Sequence, residues 1–350
     1  MKKIMTKTAF YFVSIVAAIL ACGEENLIKN GDFESIDDNK KFTAWRHGSN
    51  VTVEKIGRNH FAKLVNSQIG AYTSISQEFD LNPDWESLAL SIKMKVISLD
   101  DKPELKSGDV PRAMFVFLGP NSKKEYRPLC HLADKTNNNW VLLYEIINIP
   151  ADSKKCELVI DLPGVIAETC VDDIKVYPNP GKIYPLEILE TAGKFDYLRT
   201  RKPVSPPGWI MDYNINKMDN PPIRIEREGN ESFLRVENDN PTKTVVLDNY
   251  FSLDTNWKKI NIKAKIRTKN LKCGNEGWQN ARVMVTFVDK IGQKVGGYGE
   301  CPEAKTDQNW TEKSVVREIP EGAAGVRLQV GLFNATGIAD FDDISISKAE

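Results

Sequence analysis

The chain is written twice. Lys135-Thr136-x-x-Asn139-Trp140 returns as Lys305-Thr306-x-x-Asn309-Trp310, Ile149-Pro150 as Ile319-Pro320, and Asp172-Asp173-Ile174 as Asp342-Asp343-Ile344, each 170 positions later. The same offset aligns Ile92-Lys93-x-Lys95 with Ile262-Lys263-x-Lys265, and Arg112-x-Met114-x-x-Phe117 with Arg282-x-Met284-x-x-Phe287. The stretch from Ile92 to Ile174 therefore reads as gap-free. Upstream the offset becomes 172, pairing Phe61 with Phe233, Asn66 with Asn238, Phe79 with Phe251 and Trp85 with Trp257, which puts a two-residue loop difference just before Ile92. A long repeat of this kind means that one structural unit is built twice.

Each unit has about 160 residues, an ordinary size for one core. The seam is Pro178-Asn179-Pro180-Gly181-Lys182-Ile183-Tyr184-Pro185, whose prolines and glycine favour an extended linker. The expected division is a first unit at 27–177, a linker at 178–185 and a second unit at 186–347. Ser91 to Val96, Asn261 to Ile266 and Arg327 to Leu332 alternate polar and apolar residues, the period of strands buried on one face. Turn clusters such as Asp219-Asn220-Pro221-Pro222 separate short strands, so an all-β fold of two tandem antiparallel sandwiches is expected.

Residues 1–21 place Lys2, Lys3 and Lys7 before an apolar run from Ala9 to Ala21, the pattern of a signal peptide. Ile19-Leu20-Ala21-Cys22 resembles the lipobox of bacterial lipoproteins, which implies a mature chain starting at a lipidated Cys22, with 22–26 as a tether. Several acyl chains hold a protein stably on a membrane. Gly23 follows the cysteine, and Glu24-Glu25 looks like a surface-export tag, so an outer-membrane lipoprotein exposed at the cell surface is expected. The whole chain has 47 basic and 48 acidic residues; losing three leader lysines leaves 44 against 48, a net charge of −4. Neither balance gives the positive field that nucleic acid requires.

Asn26-Leu27-Ile28-Lys29-Asn30-Gly31-Asp32-Phe33-Glu34, Asn139-Trp140 with Ile149-Pro150, and the closing Val171-Asp172-Asp173-Ile174 together resemble the carbohydrate-binding modules of families 4, 9 and 22. The second unit shares the middle and closing motifs but lacks the opening string between Leu186 and Phe195. The resemblance implies galactose-binding-like jelly rolls and a structural calcium ion. The matching calcium ligands would be the Gly31 carbonyl, Glu34 and Asp172 or Asp173 in the first unit. In the second they would be Asp342 or Asp343, with Glu187 or Glu190 as partner. These are hard oxygen ligands of the kind calcium takes.

A sugar-binding sheet needs aromatic faces and polar groups on its outer side. Strand parity assigns Val283, Val285 and Phe287, and Val326, Leu328, Val330 and Leu332, to the second core, which leaves Arg282, Met284, Thr286, Arg327 and Gln329 outside. Trp278 and Tyr298 lie in two neighbouring loops. The expected ligand-binding set is therefore Trp278, Tyr298, Arg282, Arg327 and Gln329. The same parity exposes Arg112, Met114, Val116, Glu157, Val159 and Asp161 in the first unit, a set less suited to hydrogen-bonding a glycan. Trp140, Trp310, Trp85 and Trp257 recur in both copies and read as packing residues, while Trp45 and Trp209 read equally as packing or binding residues.

Cys273 and Cys301 lie in the Trp278 and Tyr298 loops, where a disulfide would hold the two rings together in an exported protein. Cys156 and Cys170 flank a turn near Pro163-Gly164 and read as a second disulfide. Cys130, beside His131, is left over. The chain has no E-x-D-x-x-E string, no G-x-S-x-G elbow and no phosphate-binding glycine loop, and no catalytic residue is assigned. The expected function is non-catalytic polysaccharide or oligosaccharide binding by a membrane-anchored lipoprotein that passes its ligand to separate glycan-degrading enzymes. The alternative is a structural or adhesion lipoprotein whose sandwiches bind protein.

Overall fold

The computed structural model describes residues 26–39, 41–100, 110–119, 123–131, 136, 139–178, 183–195, 209, 221–229 and 231–350. The leader, Cys22, the middle of the Pro-rich linker and the side chains of Cys130 and His131 lie outside the described residues. Among the described residues no helix is long and apolar enough to cross a membrane.

The first copy contributes β1 (Arg46–His47), β2 (Val51–Ile56), β3 (Asn59–Asn66), β4 (Tyr72–Asp80), β5 (Ser87–Leu99), β6 (Arg112–Leu118), β7 (Lys124–His131), β8 (Val141–Asn148), β9 (Lys155–Pro163) and β10 (Ala167–Pro178). A 3-10 turn at Leu186–Ile188 runs into a short helix, α1 (Leu189–Ala192). The second copy contributes β11 (Ile223–Glu228), β12 (Glu231–Asn238), β13 (Thr244–Ser252), β14 (Lys259–Lys272), β15 (Ala281–Val288), β16 (Glu303–Ala304), β17 (Gln308–Glu318), β18 (Gly325–Phe333) and β19 (Thr336–Lys348).

The strands form four sheets, ordered β1-β4-β9-β6-β7 and β2-β3-β10-β5-β8 in the first copy, and β13-β18-β15-β16 and β11-β12-β19-β14-β17 in the second. Apart from β1, the orders correspond strand for strand, and every pairing is antiparallel: two jelly-roll sandwiches. Residues such as Phe33, Leu64, Ile75, Leu90, Phe115 and Ile160 fill the first core. Phe195, Phe251, Ile262, Val285, Leu328 and Phe341 fill the second.

The strand register corrects the expected gap. Lys93 on β5 faces Asp172, while Lys265 on β14 faces Asp342, so β5 and β14 correspond at an offset of 172. The two-residue difference therefore falls after β5, in the connection to β6. The mistake has a physical cause: an alternating strand slipped by two residues keeps every side chain on its own face, so both offsets fit the pattern.

The opening of the second copy, obscure in the sequence, is Gly193-Lys194-Phe195. The Gly31 carbonyl accepts the Ile174 N–H at 2.9 Å, and the Gly193 carbonyl accepts the Ile344 N–H at 3.0 Å. Phe33 and Phe195 share a left-handed backbone, with φ of 54° and 55°. The indole N–H groups of Trp45 and Trp209 each donate to a carbonyl of this segment, Asn30 and Ala192, at 2.9 Å. Both tryptophans are buried, which settles them as packing residues.

The two sandwiches share a contact. Tyr144 and Ala89, on the outer face of the β8-β5 edge, belong to the same apolar cluster as Leu186, Ile188 and Leu189, with Leu142 and Ile146 packed beside them. The Tyr144 and Tyr184 rings meet edge to face at 5.1 Å. In the second copy the corresponding residues are Asn261 for Ala89, and Glu312, Ser314 and Val316 for Leu142, Tyr144 and Ile146. There the Ser314 hydroxyl donates to Asn261 Oδ1 at 2.6 Å, and Val316 is exposed. One copy of the edge has thus become apolar where the other sandwich covers it. Giving the first copy the residues of the second, Ala89→Asn with Tyr144→Ser, is expected to weaken this contact by about 2–3 kcal/mol. Calorimetry checks it: two resolved unfolding transitions in the variant where the parent shows one.

Candidate binding cleft

On the outer side of the β13-β18-β15-β16 sheet lies a cleft of about 950 Å³. Its walls are the Gly277–Trp278 and Tyr298–Cys301 loops, and Arg282, Met284, Gln329 and Phe333 also line it. Alternation explains the sheet's contribution. Val283 and Val285 point into the core, so Arg282 and Met284 point out, and the register sets Gln329 opposite Met284.

Four of the five expected binding residues, Trp278, Tyr298, Arg282 and Gln329, line this cleft. Arg327 does not. Both its Nε and its Nη2 bond to Asp248, the latter at 2.5 Å, and its guanidinium lies over Tyr250, with 5.6 Å to the ring centroid. Trp278 and Tyr298 are 44% and 68% exposed, large apolar surfaces left open to solvent.

Arg282 is 5% exposed and already committed. Its Nε donates to Asn280 Oδ1 at 2.7 Å, and its Nη2 donates to the Gly277 carbonyl at 3.0 Å and to Glu303 Oε2 at 2.5 Å. Arg282 thus fastens the Trp278 loop to the sheet, a positioning role that parity alone did not suggest. Lys305 takes the other Glu303 oxygen at 2.6 Å. Burial alone would raise the Glu303 carboxyl, but hydrogen bonds from Lys305 and Asn280 and the Arg282 charge hold it below its ordinary range.

A folded value below the unfolded one gives stabilisation that is full above the unfolded pKa and lost as pH falls through the folded value. Glu303 should therefore hold the Trp278 loop through the ordinary glutamate range and release it only as pH falls below that range. The protection of the 273–282 amides, taken relative to their intrinsic exchange rates at each pH, should fall on acidification, and Glu303→Gln should show the lower protection already at neutral pH.

The Tyr298 loop is held from below by Arg317 of β17, whose Nη1 donates to the Val285 carbonyl at 2.6 Å and whose guanidinium lies 4.8 Å from the Phe287 ring centroid. A Cβ on Gly299 would lie 2.7 Å from the Arg317 Nε, so a side chain there would displace this support. Lys294 Nζ lies 4.0 Å from the Tyr298 ring centroid. Glu300, Glu303 and Phe333 were not foreseen. Parity along β18 assigns Phe333 to the outer face, whereas β16 is only two residues long and shows no period.

The disulfide expectations are corrected. Cys156, Cys170, Cys273 and Cys301 are free thiols. Cys156 lies in the first core on β9, and Cys170 lies on β10 of the facing sheet, outside that core cluster. The Pro163-Gly164 turn therefore joins two sheets rather than two paired strands. Cys273 Sγ contacts the Lys305 carbonyl at 3.3 Å, and the Trp278 loop is fastened to β16 by Asn280 and Arg282 on Glu303 instead.

The corresponding face of the first sandwich differs from its expected exposure. Met114, Val116 and Val159 are buried in a small cluster of their own. Asp161 is fully buried and takes Arg112 through two bonds, at 2.9 and 3.2 Å. Glu157 is 3.8 Å from Arg46. Trp140 and Trp310 pack against Phe61 and Phe233 at 5.4 and 5.5 Å, with Lys95 and Arg267 over the paired rings. Trp85 and Trp257 pack against the two cores.

At the expected calcium locus, Glu34 accepts the His60 backbone N–H at 2.8 Å and meets His60 Nδ1 at 2.7 Å. Asp172 accepts from Asn59 Nδ2 at 2.8 Å. Both carboxylates thus come to the start of β3. Asp173, in the left-handed bulge with φ of 48°, turns to Lys93 at 2.5 Å, and its counterpart Asp343 turns to Lys265 at 2.6 Å. Glu187 and Glu190 precede Gly193, whereas Glu34 follows Gly31, so neither is the counterpart of Glu34. Among the described residues no group of three or more His, Cys, Asp or Glu side chains is gathered as for a metal.

No protein-family model and no curated protein matches the sequence. Among solved structures, the chain is similar to the tandem CBM22-1–CBM22-2 domain of Paenibacillus barcinonensis Xyn10C, at 12% identity over 95% of this chain and 100% of that one, with a TM-score of 0.33. It is also similar to the C-terminal family 22 module of Clostridium thermocellum Xyn10B, at 15% identity over 43% and 97% with a TM-score of 0.29. A family 16 carbohydrate-binding module gives 18% identity over 43% and 99%, with a TM-score of 0.32. Values this low leave function to be argued from the cleft itself.

Proposed function

We propose that the protein binds a neutral polysaccharide, without catalysis, in the cleft of the second sandwich. The observation that carries this reading is the pair of exposed aromatic rings, Trp278 and Tyr298, on two loops over a cleft whose arginine is already neutralised by Glu303. Aromatic faces suit the C–H faces of sugar rings, and a few convergent polar groups suit their hydroxyls. The Gln329 amide, the Trp278 indole N–H, the Tyr298 hydroxyl and the Glu300 carboxylate make no hydrogen bond among the described residues. They remain to meet a ligand.

The cleft is not equipped for glycoside hydrolysis. Glu303 is held ionised by Lys305, Asn280 and Arg282, and Glu300 is exposed, without the apolar enclosure that gives a general acid its proton. Lipidation at Cys22 would hold the sandwiches at the outer membrane, where captured polymer could pass to separate enzymes. Depletion of the protein from solution by insoluble cellulose, xylan, mannan or β-glucan tests the binding reading; retention on none of a broad neutral panel removes it.

Calcium in the first sandwich would be held by the Gly31 carbonyl, Glu34 and Asp172, an all-oxygen set that suits a hard cation. The ion would supply positive charge between the opening segment and the closing strand. Calcium should then raise the melting temperature of the protein and a chelator should lower it, with Glu34→Gln removing the difference.

A further inference from the structure

A second cleft, of about 890 Å³, opens on the first sandwich between β2, the Gly48-Ser49 turn that leads into it and the segment 36–41 that precedes β1. Its floor is apolar, from Ile36, Val51 and Val53, and four basic side chains line it: Lys41, Lys55, His47 and His60. No carboxylate is among its lining residues. Of the acids nearby, Glu34, Asp37 and Glu54 already accept hydrogen bonds, and Asp38, beside Asn39, does not line the cleft. Glu34 holds His60 through Nδ1 at 2.7 Å, and Asp37 accepts the backbone N–H groups of Asn39 and Lys41 at 2.9 and 2.8 Å. Glu54 accepts from the Thr52 hydroxyl at 3.4 Å.

The histidines are anchored alike. His47 Nδ1 contacts the Gly48 carbonyl at 3.2 Å, as His60 Nδ1 contacts Glu34, so each ring keeps Nε2 without a partner among the described residues. Lys55 and Lys41 form no ion pair among the described residues. The hydroxyl of Ser49 and the amide of Asn39 add neutral polar groups at the rim.

From this geometry we infer that the first sandwich carries a separate site for a small ligand, or polymer unit, bearing a carboxylate or phosphate group. Two lysines without an ion pair beside a cleft of this size attract an anion, charge-assisted hydrogen bonds from them fix it, and the apolar floor accepts the rest of the molecule. The site does not depend on the neutral-glycan reading of the other cleft. Together they would let one chain read two chemical features of the same polymer.

Calorimetric titration of the whole protein with trigalacturonate, with inorganic phosphate and with a neutral trisaccharide tests the inference. Saturable binding of trigalacturonate assigns the site to uronate units, and binding of phosphate alone assigns it to phosphoryl groups. Binding of either should weaken about tenfold or more in Lys41→Ala/Lys55→Ala, where two charge-assisted contacts are lost, and should fall as salt rises. These lysines are exposed, so the double variant should keep its melting temperature and its retention on neutral polysaccharide. The inference is overturned if neither anion binds, if binding is unchanged in the double lysine variant, or if it disappears in Trp278→Ala/Tyr298→Ala. Loss of neutral-polysaccharide binding alone would leave it standing.

Discussion

Gly31→Ala and Gly193→Ala should each destabilise their own sandwich by about 3 kcal/mol or more, among the largest single-residue effects available in this chain. A Cβ at Gly31 would lie 2.0 Å from the Ile174 carbonyl oxygen, and one at Gly193 would lie 2.0 Å from that of Ile344. Both obstacles are backbone atoms of a central strand, so neither can move aside as a side-chain tip would. The same glycine carbonyls accept hydrogen bonds from Ile174 and Ile344, so relieving the clash would break the bond that closes the opening segment onto the sandwich. For a unit of about 160 residues this is a fall in melting temperature on the order of 10 °C. Gly48→Ala provides the contrast, because nothing lies within 4 Å of its added carbon. Melting curves decide the matter: a Gly193→Ala protein as stable as its parent would mean that the second sandwich does not begin where Gly193-Lys194-Phe195 is assigned.

Removing both rings of the cleft, Trp278→Ala with Tyr298→Ala, should abolish measurable retention on neutral polysaccharide. Central aromatic contacts are worth about 2 kcal/mol each when truncated, so each ring accounts for about 30-fold in affinity. The rings project from loops fastened by Arg282 and Arg317, and neither belongs to the core, so the double variant should fold normally. Arg282→Ala should also weaken binding, by a different route, since it frees the Gly277 carbonyl and leaves Glu303 with one cation fewer. Its signature is faster exchange of the 273–282 loop, which the ring variants should not show. Affinity electrophoresis through gels cast with the polysaccharide measures all three.

The repeat, the strand alternation and the turn clusters carried the fold, because a period of two and a duplicated motif set survive without any knowledge of contacts. The same alternation hid the position of the two-residue difference, since β5 and β14 look equally well aligned at either offset. Gly193-Lys194-Phe195 escaped notice because only its glycine and phenylalanine are required, one for close approach and one to fill the core. At the cleft, parity and loop position found Trp278, Tyr298 and Gln329. They did not show that Arg327 is taken up by Asp248 on the neighbouring strand β13, or that Arg282 is turned toward Asn280 and Glu303. Those facts depend on partners distant in sequence. The buried Met114, Val116 and Val159 make the same point, because parity says which face a side chain takes and not what covers that face.

Titration of the protein with soluble oligosaccharides of neutral polymers, followed by tryptophan emission, tests the central claim most directly. Stacking of a sugar ring on Trp278 should produce a saturable change in emission that disappears in Trp278→Phe/Tyr298→Ala, while trigalacturonate should leave that component unchanged. An emission change that survives in the variant, or no change with any neutral oligosaccharide in the panel, would contradict the assignment of the second-sandwich cleft.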